Sequence, residues 1–188
     1  ARLTDTDIQR ILAGRVFIFR DAAIALTDRG FADLIGAAVA KRPMMFSAER
    51  DNVQKSRLPY ASTLSGSVEL KTAADAERLG EFVYAPYAGA EDEVVAPSTI
   101  FYRNRLGGRI IVAAYHSRMY WLNAHSEGRK RWFINCVDRL SPDGARPTVC
   151  GNDQHSRSGF ESDTALDAYY RVSHVHGTAY SVGGPYGF

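Results

Sequence analysis

The sequence predicts an α/β fold, in which helices pack on a sheet that contains parallel strands. Three observations favour this class. The first 36 residues read as helix, strand and helix, the alternation typical of parallel sheets. A strongly β-forming hairpin occupies about 98–115, and an amphipathic helix occupies about 126–140. A chain of 188 residues suits one domain of ordinary size with a small appendage.

The first helix is marked by a capping box, in which the side chains of Thr4 and Asp7 satisfy each other's backbone N–H groups. Apolar residues then recur on one helical face, and Gly14 predicts the end of the helix. The continuous apolar run 16–19 predicts a strand that is buried on both faces.

The second helix is predicted over 22–29, with Asp21 as its N-cap and Gly30 as the left-handed residue that ends it. Residues 41–66 lack periodicity and are rich in Ser, Arg and Pro, so we expect a long surface loop with room for one short strand. A short helix or turn is expected at 73–79.

The hairpin is the strongest local signal in the chain. Residues 98–103 are rich in β-branched and aromatic side chains, 104–108 include two glycines, and 109–115 form the return strand. His116 follows directly. Because catalytic groups of α/β proteins gather at the carboxyl ends of strands, His116 is a candidate catalytic residue.

The chain changes character after the second well-marked helix. Ser126 is predicted to cap that helix, and 147–150 predict one more strand. Residues 151–188 are polar and then rich in Gly and Tyr, which predicts an irregular linker and tail. We therefore divide the chain into an α/β domain at 1–150 and this C-terminal segment.

Composition excludes several classes of function. The net charge of +2 is not concentrated enough for a nucleic-acid partner. No stretch approaches the roughly 18 apolar residues of a membrane span, and the start of the chain does not resemble a signal peptide. We expect a soluble protein of unknown compartment, with no membrane partner and no cofactor.

Two cysteines are present, and they form neither a metal-type pair nor a disulfide scaffold. Cys136 lies in the apolar stripe of its helix, where a thiol behaves as a small hydrophobe. Cys150 ends a predicted strand, a sensible place for a nucleophile. A nucleophile elbow needs Gly two residues earlier, however, and Thr148 stands there, which favours a structural role.

Two further groups of residues are candidate binding sites. His174 and His176 alternate onto one face of a possible strand and could ligate a metal with a third ligand from the polar segment before them. The middle of the chain is rich in aromatic residues, which could stack on sugar rings or pack in a core or subunit interface, the favoured alternative. The candidate ligand contacts there are Tyr115, Arg118, Tyr120 and Trp121.

Segments 3–14, 16–19 and 22–36 together resemble the second half of glutamine-amidotransferase-like domains, which are attached to large bacterial glycoside hydrolases and are often called β-galactosidase trimerisation domains. In that family a Gly-Gly-Arg strand follows, and then a helix that ends near a Leu-Ser turn. Segments 107–115 and 126–141 fit those later pieces.

This resemblance implies a partial flavodoxin-like sheet of the class I glutamine-amidotransferase type, with helices, an antiparallel hairpin and an irregular C-terminal segment. It covers residues 1 to about 150 discontinuously. It also implies that the first strands of the fold lie upstream of Ala1, so that the α/β domain is incomplete at its N-terminus.

The resemblance carries a chemical expectation as well. Class I glutamine amidotransferases use a Cys nucleophile early in the fold, and a late His with a Glu two residues after it. His116 occupies a place like that of the His, but position 118 is Arg and no Cys precedes His116. A His that lacks both the nucleophile and the orienting carboxylate cannot form a working catalytic triad. The resemblance therefore implies a non-catalytic domain.

We expect an assembly or accessory domain of a larger carbohydrate-active, glycoside hydrolase-like protein. Its expected partners are copies of itself or other domains of the parent chain, with carbohydrate as a further candidate. Two alternatives from other classes stay open. One is a small hydrolase that uses Cys150 or His116, and the other is a metal- or sugar-binding module that uses His174, His176 and surface aromatic residues.

Overall fold

The computed structural model describes residues 3–40, 44–59, 67–115, 127–145 and 147–150. Within them, one mixed sheet of seven strands carries packed helices, and two further strands pair separately. The predicted mixed α/β class is confirmed. None of the described helices has the length and apolar character needed to cross a bilayer.

The bounds of the elements are as follows. The described helices are α1 (Asp5–Leu12), α2 (Arg20–Asp28), α3 (Ala32–Ile35) and α4 (Glu127–Leu140). The described strands are β1 (Arg15–Ile18), β2 (Ala37–Ala40), β3 (Ala48–Asp51), β4 (Ser56–Pro59), β5 (Glu69–Thr72), β6 (Glu77–Tyr84), β7 (Glu93–Arg103), β8 (Arg109–Ala113) and β9 (Thr148–Cys150).

The seven-stranded sheet has the order β4-β3-β6-β7-β8-β1-β9, and β2 pairs with β5 in the separate two-stranded sheet. In the large sheet β1 runs parallel to both β8 and β9, and every other neighbouring pair is antiparallel. We call the end of the sheet where β1, β8 and β9 finish the carboxyl edge, and the opposite end the amino edge.

Both faces of the parallel region are covered. Residues 16–18 of β1 and 110–113 of β8 are fully buried, as the continuous apolar run predicted. Helix α4 covers one face of the sheet and the end of α3 covers the other, as two adjacent residues of β7 show. Arg139 of α4 lies over the ring of Phe101, whereas Gly36, at the end of α3, approaches the ring of Tyr102 on the other face.

The N-terminal elements follow the sequence closely, with one correction. The capping box is present, because the Asp7 N–H donates to the Thr4 hydroxyl at 3.2 Å and the Thr4 N–H donates to the Asp7 carboxylate at 3.1 Å. Gly30 is left-handed, with φ +83°. The prediction of Asp21 as an N-cap was wrong. Phe19 holds that position, since its N–H is bound to the carbonyl of Cys150 as the strand passes directly into the helix.

The expectation of a long surface loop over 41–66 was also wrong within the described residues. Strands β3 and β4 form a hairpin that joins the large sheet through β6. Its turn is closed by Asp51, whose Oδ1 accepts the N–H groups of Val53 at 2.8 Å and Gln54 at 3.1 Å. Residues 73–79 likewise contain a turn, but β6 begins at Glu77 and no helix forms there.

The predicted central hairpin is confirmed, with β7 starting five residues earlier than expected. Its turn is held by Asn104. The side-chain Nδ2 donates to the carbonyls of Leu12 and Leu34, and Oδ1 accepts the N–H groups of Leu106 and Gly108. One amide group therefore joins the turn to the ends of α1 and α3.

The last described elements also agree with the sequence. Helix α4 buries a stripe that includes Trp132, Cys136 and Leu140, and β9 forms within the predicted range 147–150, where it pairs with β1. The predicted linker and tail at 151–188 lie outside the described residues. That part of the domain division stays a prediction.

Candidate functional site

The carboxyl edge of the parallel strands is where the sequence placed its candidate site. Two backbone hydrogen bonds hold this edge together. The N–H of Phe19 donates to the carbonyl of Cys150 at 2.8 Å, and the N–H of Arg20 donates to the carbonyl of Tyr115 at 3.1 Å. The structure therefore brings two of the predicted site residues, Tyr115 and Cys150, to the two sides of the β1–α2 junction.

Cys150 has the environment of a structural thiol. Cys150 is 2 % exposed, and this burial raises the pKa of its thiol to about 12. At pH 7 only about one such thiol in 10⁵ is ionised, and the thiolate is the nucleophilic form. This environment weighs against thiol chemistry at the carboxyl edge.

Tyr115 is buried rather than displayed. Its ring lies edge-on to Phe82 at 6.1 Å between centroids, and tilted to Trp132 at 6.5 Å. Its hydroxyl donates to Oε1 of Glu49 at 3.3 Å and lies 3.3 Å from the Thr99 hydroxyl. With 1 % exposure, the ring offers no face for stacking against a sugar.

A buried polar cluster lies behind Tyr115, and sequence reasoning missed it. Ser98 donates a short hydrogen bond to the same Glu49 oxygen that Tyr115 contacts. Glu49, Ser98 and Thr99 are fully buried. Because Glu49 lies on β3, Ser98 and Thr99 on β7 and Tyr115 just beyond β8, this cluster joins three strands of the sheet.

The cluster depends on a glycine in the strand between β3 and β7. A Cβ at Gly80 would lie 2.6 Å from the Ser98 hydroxyl and 2.9 Å from Oε1 of Glu49. The absence of a side chain there leaves the space in which the carboxylate and hydroxyl meet. Gly80, inside a strand-forming stretch, was the sequence signal for this close approach.

The helix α4 adds a second thiol to the same region. Burial raises the pKa of Cys136 well above its ordinary value, and the negative charges of Glu49 and Asp51 raise it further. This thiol is 1 % exposed, which agrees with the structural role expected from the apolar stripe. In the described parts of the chain, no group of three or more His, Cys, Asp or Glu residues is arranged to hold a metal ion.

A further polar feature of the carboxyl edge is an ion pair at the start of α2. The Arg20 guanidinium lies 3.0 Å from Oδ1 of Asp21, and the two side chains are 17 % and 16 % exposed. Neither residue was a sequence candidate for binding. The six remaining candidates lie outside the described residues: His116, Arg118, Tyr120, Trp121, His174 and His176.

Chemically, the described carboxyl edge offers an ion pair and a buried hydrogen-bonded cluster, with both thiols protonated at neutral pH. Comparisons of the chain with protein-family models, with curated proteins and with solved structures found no match.

Proposed function

We propose that this chain is a non-catalytic assembly domain of a larger carbohydrate-active protein, and that it associates with copies of itself through the carboxyl edge of its sheet. Its fold would be a partial class I glutamine-amidotransferase-like domain. Three parallel strands with helices on both faces are compatible with this proposal. The observation that carries the assembly role is an exposed apolar surface beside that edge.

That surface comprises Met45, Tyr87, Val94 and Val95, which we call the apolar ribbon. Val94 and Val95 are 47 % and 41 % exposed, and Tyr87 and Met45 are 71 % and 77 % exposed. The register of β7 with β6 shifts between Val94 and Ala96, a β-bulge at which both valines are exposed. Apolar surface of this kind marks sites of protein association.

Backbone pairing adds to the case. Strand β7 first pairs with β8 at Thr99, so among the described strands its residues 93–97 pair with β6 alone. Within the described residues, the side of β7 that faces away from β6 has no strand partner at 93–97, and a second chain could pair with it there. Met45 precedes β3 and lies at the same end of the sheet, on the other side of β6, since Ser47 donates its N–H to the carbonyl of Val83 at the end of β6.

The alternative function as a hydrolase is weaker at Cys150 than the sequence alone allowed. A buried thiol with a pKa of about 12 lacks the electropositive, accessible setting of catalytic cysteines. The alternatives that depend on His116, or on His174 and His176, involve residues outside the described ranges and stay predictions.

Sedimentation equilibrium of the full 188-residue chain tests the assembly role. We expect concentration-dependent association, and we expect the double substitution Val94→Glu and Val95→Glu to raise the dissociation constant at least about tenfold, because two charges would be buried in the interface. Val53→Glu is the matched control. Val53 is 53 % exposed, but it lies in the β3–β4 turn, at the opposite end of β3 from Met45.

A chain that stays monomeric at all concentrations would contradict the proposal, as would an equal effect of the control substitution.

The proposal that the chain belongs to a carbohydrate-active protein is tested separately. The coding sequence on either side of this chain should contain a glycoside hydrolase catalytic region, and an unrelated neighbour would remove that part of the proposal.

A further inference from the structure

The amino edge of the sheet carries a row of arginines in direct register. Arg15 of β1 is paired with Arg109 of β8, and Arg109 is paired with Arg103 of β7. Side chains at directly paired positions of neighbouring strands lie on the same face of a sheet. Arg139 of α4 reaches the same place from above. We call these four residues the arginine row.

Three of these guanidinium groups lie close to one aromatic ring. The guanidinium carbons of Arg103, Arg109 and Arg139 lie 5.7, 5.1 and 5.2 Å from the centroid of the Phe101 ring. Phe101 is buried and lies on the face covered by α4. Its ring fixes three cations in one small region through cation–π contacts.

The acidic partners of the row are fewer than its cations. Arg15 binds Asp143 with both terminal nitrogens, at 2.5 and 2.6 Å, and Arg139 pairs with Glu77. Two of the four guanidinium groups therefore have carboxylate partners within the described residues.

The other two groups have none there. Arg109 donates instead to neutral groups, the backbone carbonyls of Leu140 at 2.8 Å and of Arg139 at 2.5 Å. Arg103 is exposed and makes no ion pair with any described residue. Counting only partners in the described ranges, the row thus carries two positive charges more than they neutralise.

This arrangement places like charges close together. Like charges at directly opposed positions of neighbouring strands destabilise a sheet. The pKa of Arg109 reflects the crowding, since burial lowers it first and the charges of Arg103, Arg15 and Arg139 lower it further. A bound anion would remove the repulsion, and the planar fork of a guanidinium matches the oxygens of phosphate and sulfate groups.

We propose that the arginine row binds a dianionic tetrahedral oxyanion, namely phosphate, a phosphate monoester or a sulfate. Arg103 supplies an exposed guanidinium, and Arg109 supplies its Nη1, which has no hydrogen-bond partner among the described residues. Arg15 and Arg139 flank the site and remain bound to their own carboxylates. The site lies at the opposite edge of the sheet from the apolar ribbon, so the proposal is independent of the assembly role.

Isothermal titration calorimetry with inorganic phosphate tests the proposal on the full chain, with ionic strength held constant by sodium chloride so that screening does not change. We expect saturable binding, and we expect Arg103→Gln to raise the dissociation constant at least about tenfold, the size of one lost charge-assisted hydrogen-bond pair. Arg103 makes no ion pair with the described residues, and its replacement removes one cation–π contact together with one like charge opposite Arg109, so the variant should retain the folded state of the wild type.

Arg105→Gln is the matched control, because Arg105 lies two residues along the same turn, is exposed, and pairs with Asp33 at 3.3 Å. Its phosphate affinity should stay unchanged. A titration with glucose 6-phosphate separates the sources of the anion. Tighter binding than phosphate indicates an ester ligand, and equal binding indicates the free anion. Lack of saturable binding for both probes, or equal losses in the two variants, would overturn the proposal.

Discussion

The side chain of Asn104 should be one of the most sensitive positions in the fold. Its four hydrogen bonds run to Leu12 at 2.8 Å, Leu34 at 2.9 Å, Leu106 at 3.0 Å and Gly108 at 2.9 Å, and the residue is 6 % exposed. Each buried bond contributes about 1 kcal/mol net. Since the turn can rehydrate in part, we expect Asn104→Ala to lower the free energy of unfolding by about 3 kcal/mol.

Urea-induced unfolding followed by circular dichroism measures this loss. Asn104→Asp should lose at least as much, because it places a carboxylate against the two carbonyls that the amide nitrogen served. Asn52→Ala is the control, since its side chain donates an exposed bond of 3.3 Å to the Arg78 carbonyl and a second bond to Glu81, half as many as Asn104 makes, and it should cost less than Asn104→Ala. A loss below about 1 kcal/mol for Asn104→Ala would refute the reasoning.

Three other parts of the fold give measurable expectations. Gly108→Ala should cost about 3 kcal/mol in urea unfolding, because its Cβ would lie 1.9 Å from a carbonyl oxygen of α1, whereas Gly107→Ala, with open space and φ +81°, should cost about 1 kcal/mol. Cys136 and Cys150 should react with a thiol reagent at pH 7 at least about a hundredfold more slowly in the folded chain than in urea. Burial alone would raise the pKa of Glu81, but hydrogen bonds from Arg50 and Asn52 lower it below its ordinary value. That stabilisation is complete above the unfolded pKa and is lost as the pH falls through the folded pKa, so the melting temperature of Glu81→Gln should depend less on acid.

Contrary outcomes are equally specific. Equal losses for the two glycine variants would show that the close approach at Gly108 is not a constraint. Fast labelling of Cys150 in the folded chain would contradict its burial and favour the thiol hydrolase. An acid profile of Glu81→Gln identical to that of the wild type would show that this carboxyl is not stabilised by its partners in the fold.

Elements with a local cause were predictable from the sequence. The capping box at Thr4, the left-handed Gly30 and the hairpin that turns at Asn104 each depend on residues within a few positions of one another. The apolar run 16–18 similarly identified a strand that is buried on both faces. These signals established the α/β class.

Features with a distant cause were not predictable. Strand β3 lacks apolar alternation because Glu49 is buried against hydroxyl groups of Ser98 and Tyr115, which lie far along the chain. Asp21 had the side chain of an N-cap, but the pairing of Phe19 with Cys150 decided where α2 begins. A single sequence records which residues can bond, and the tertiary fold decides which of them meet.

The candidate site likewise has features that the sequence predicts and features that depend on the tertiary fold. The carboxyl edge was predictable because strand ends collect functional groups in α/β proteins. The sequence did not predict that Cys150 would be buried there, since this depends on the pairing of β9 with β1. It also did not predict that Tyr115 would be buried, since this depends on the packing of β3. The arginine row was not predictable either, because its members become neighbours only through strand register.

The position of β1 in the sheet has a consequence for how the chain reaches its fold. Its two neighbours, β8 and β9, lie roughly a hundred residues or more further along the chain, and pairing over such separations slows folding. During synthesis β1 therefore emerges long before either partner exists, with a fully apolar run and two open edges. Until β9 is made, this strand keeps an open edge that needs protection from aggregation.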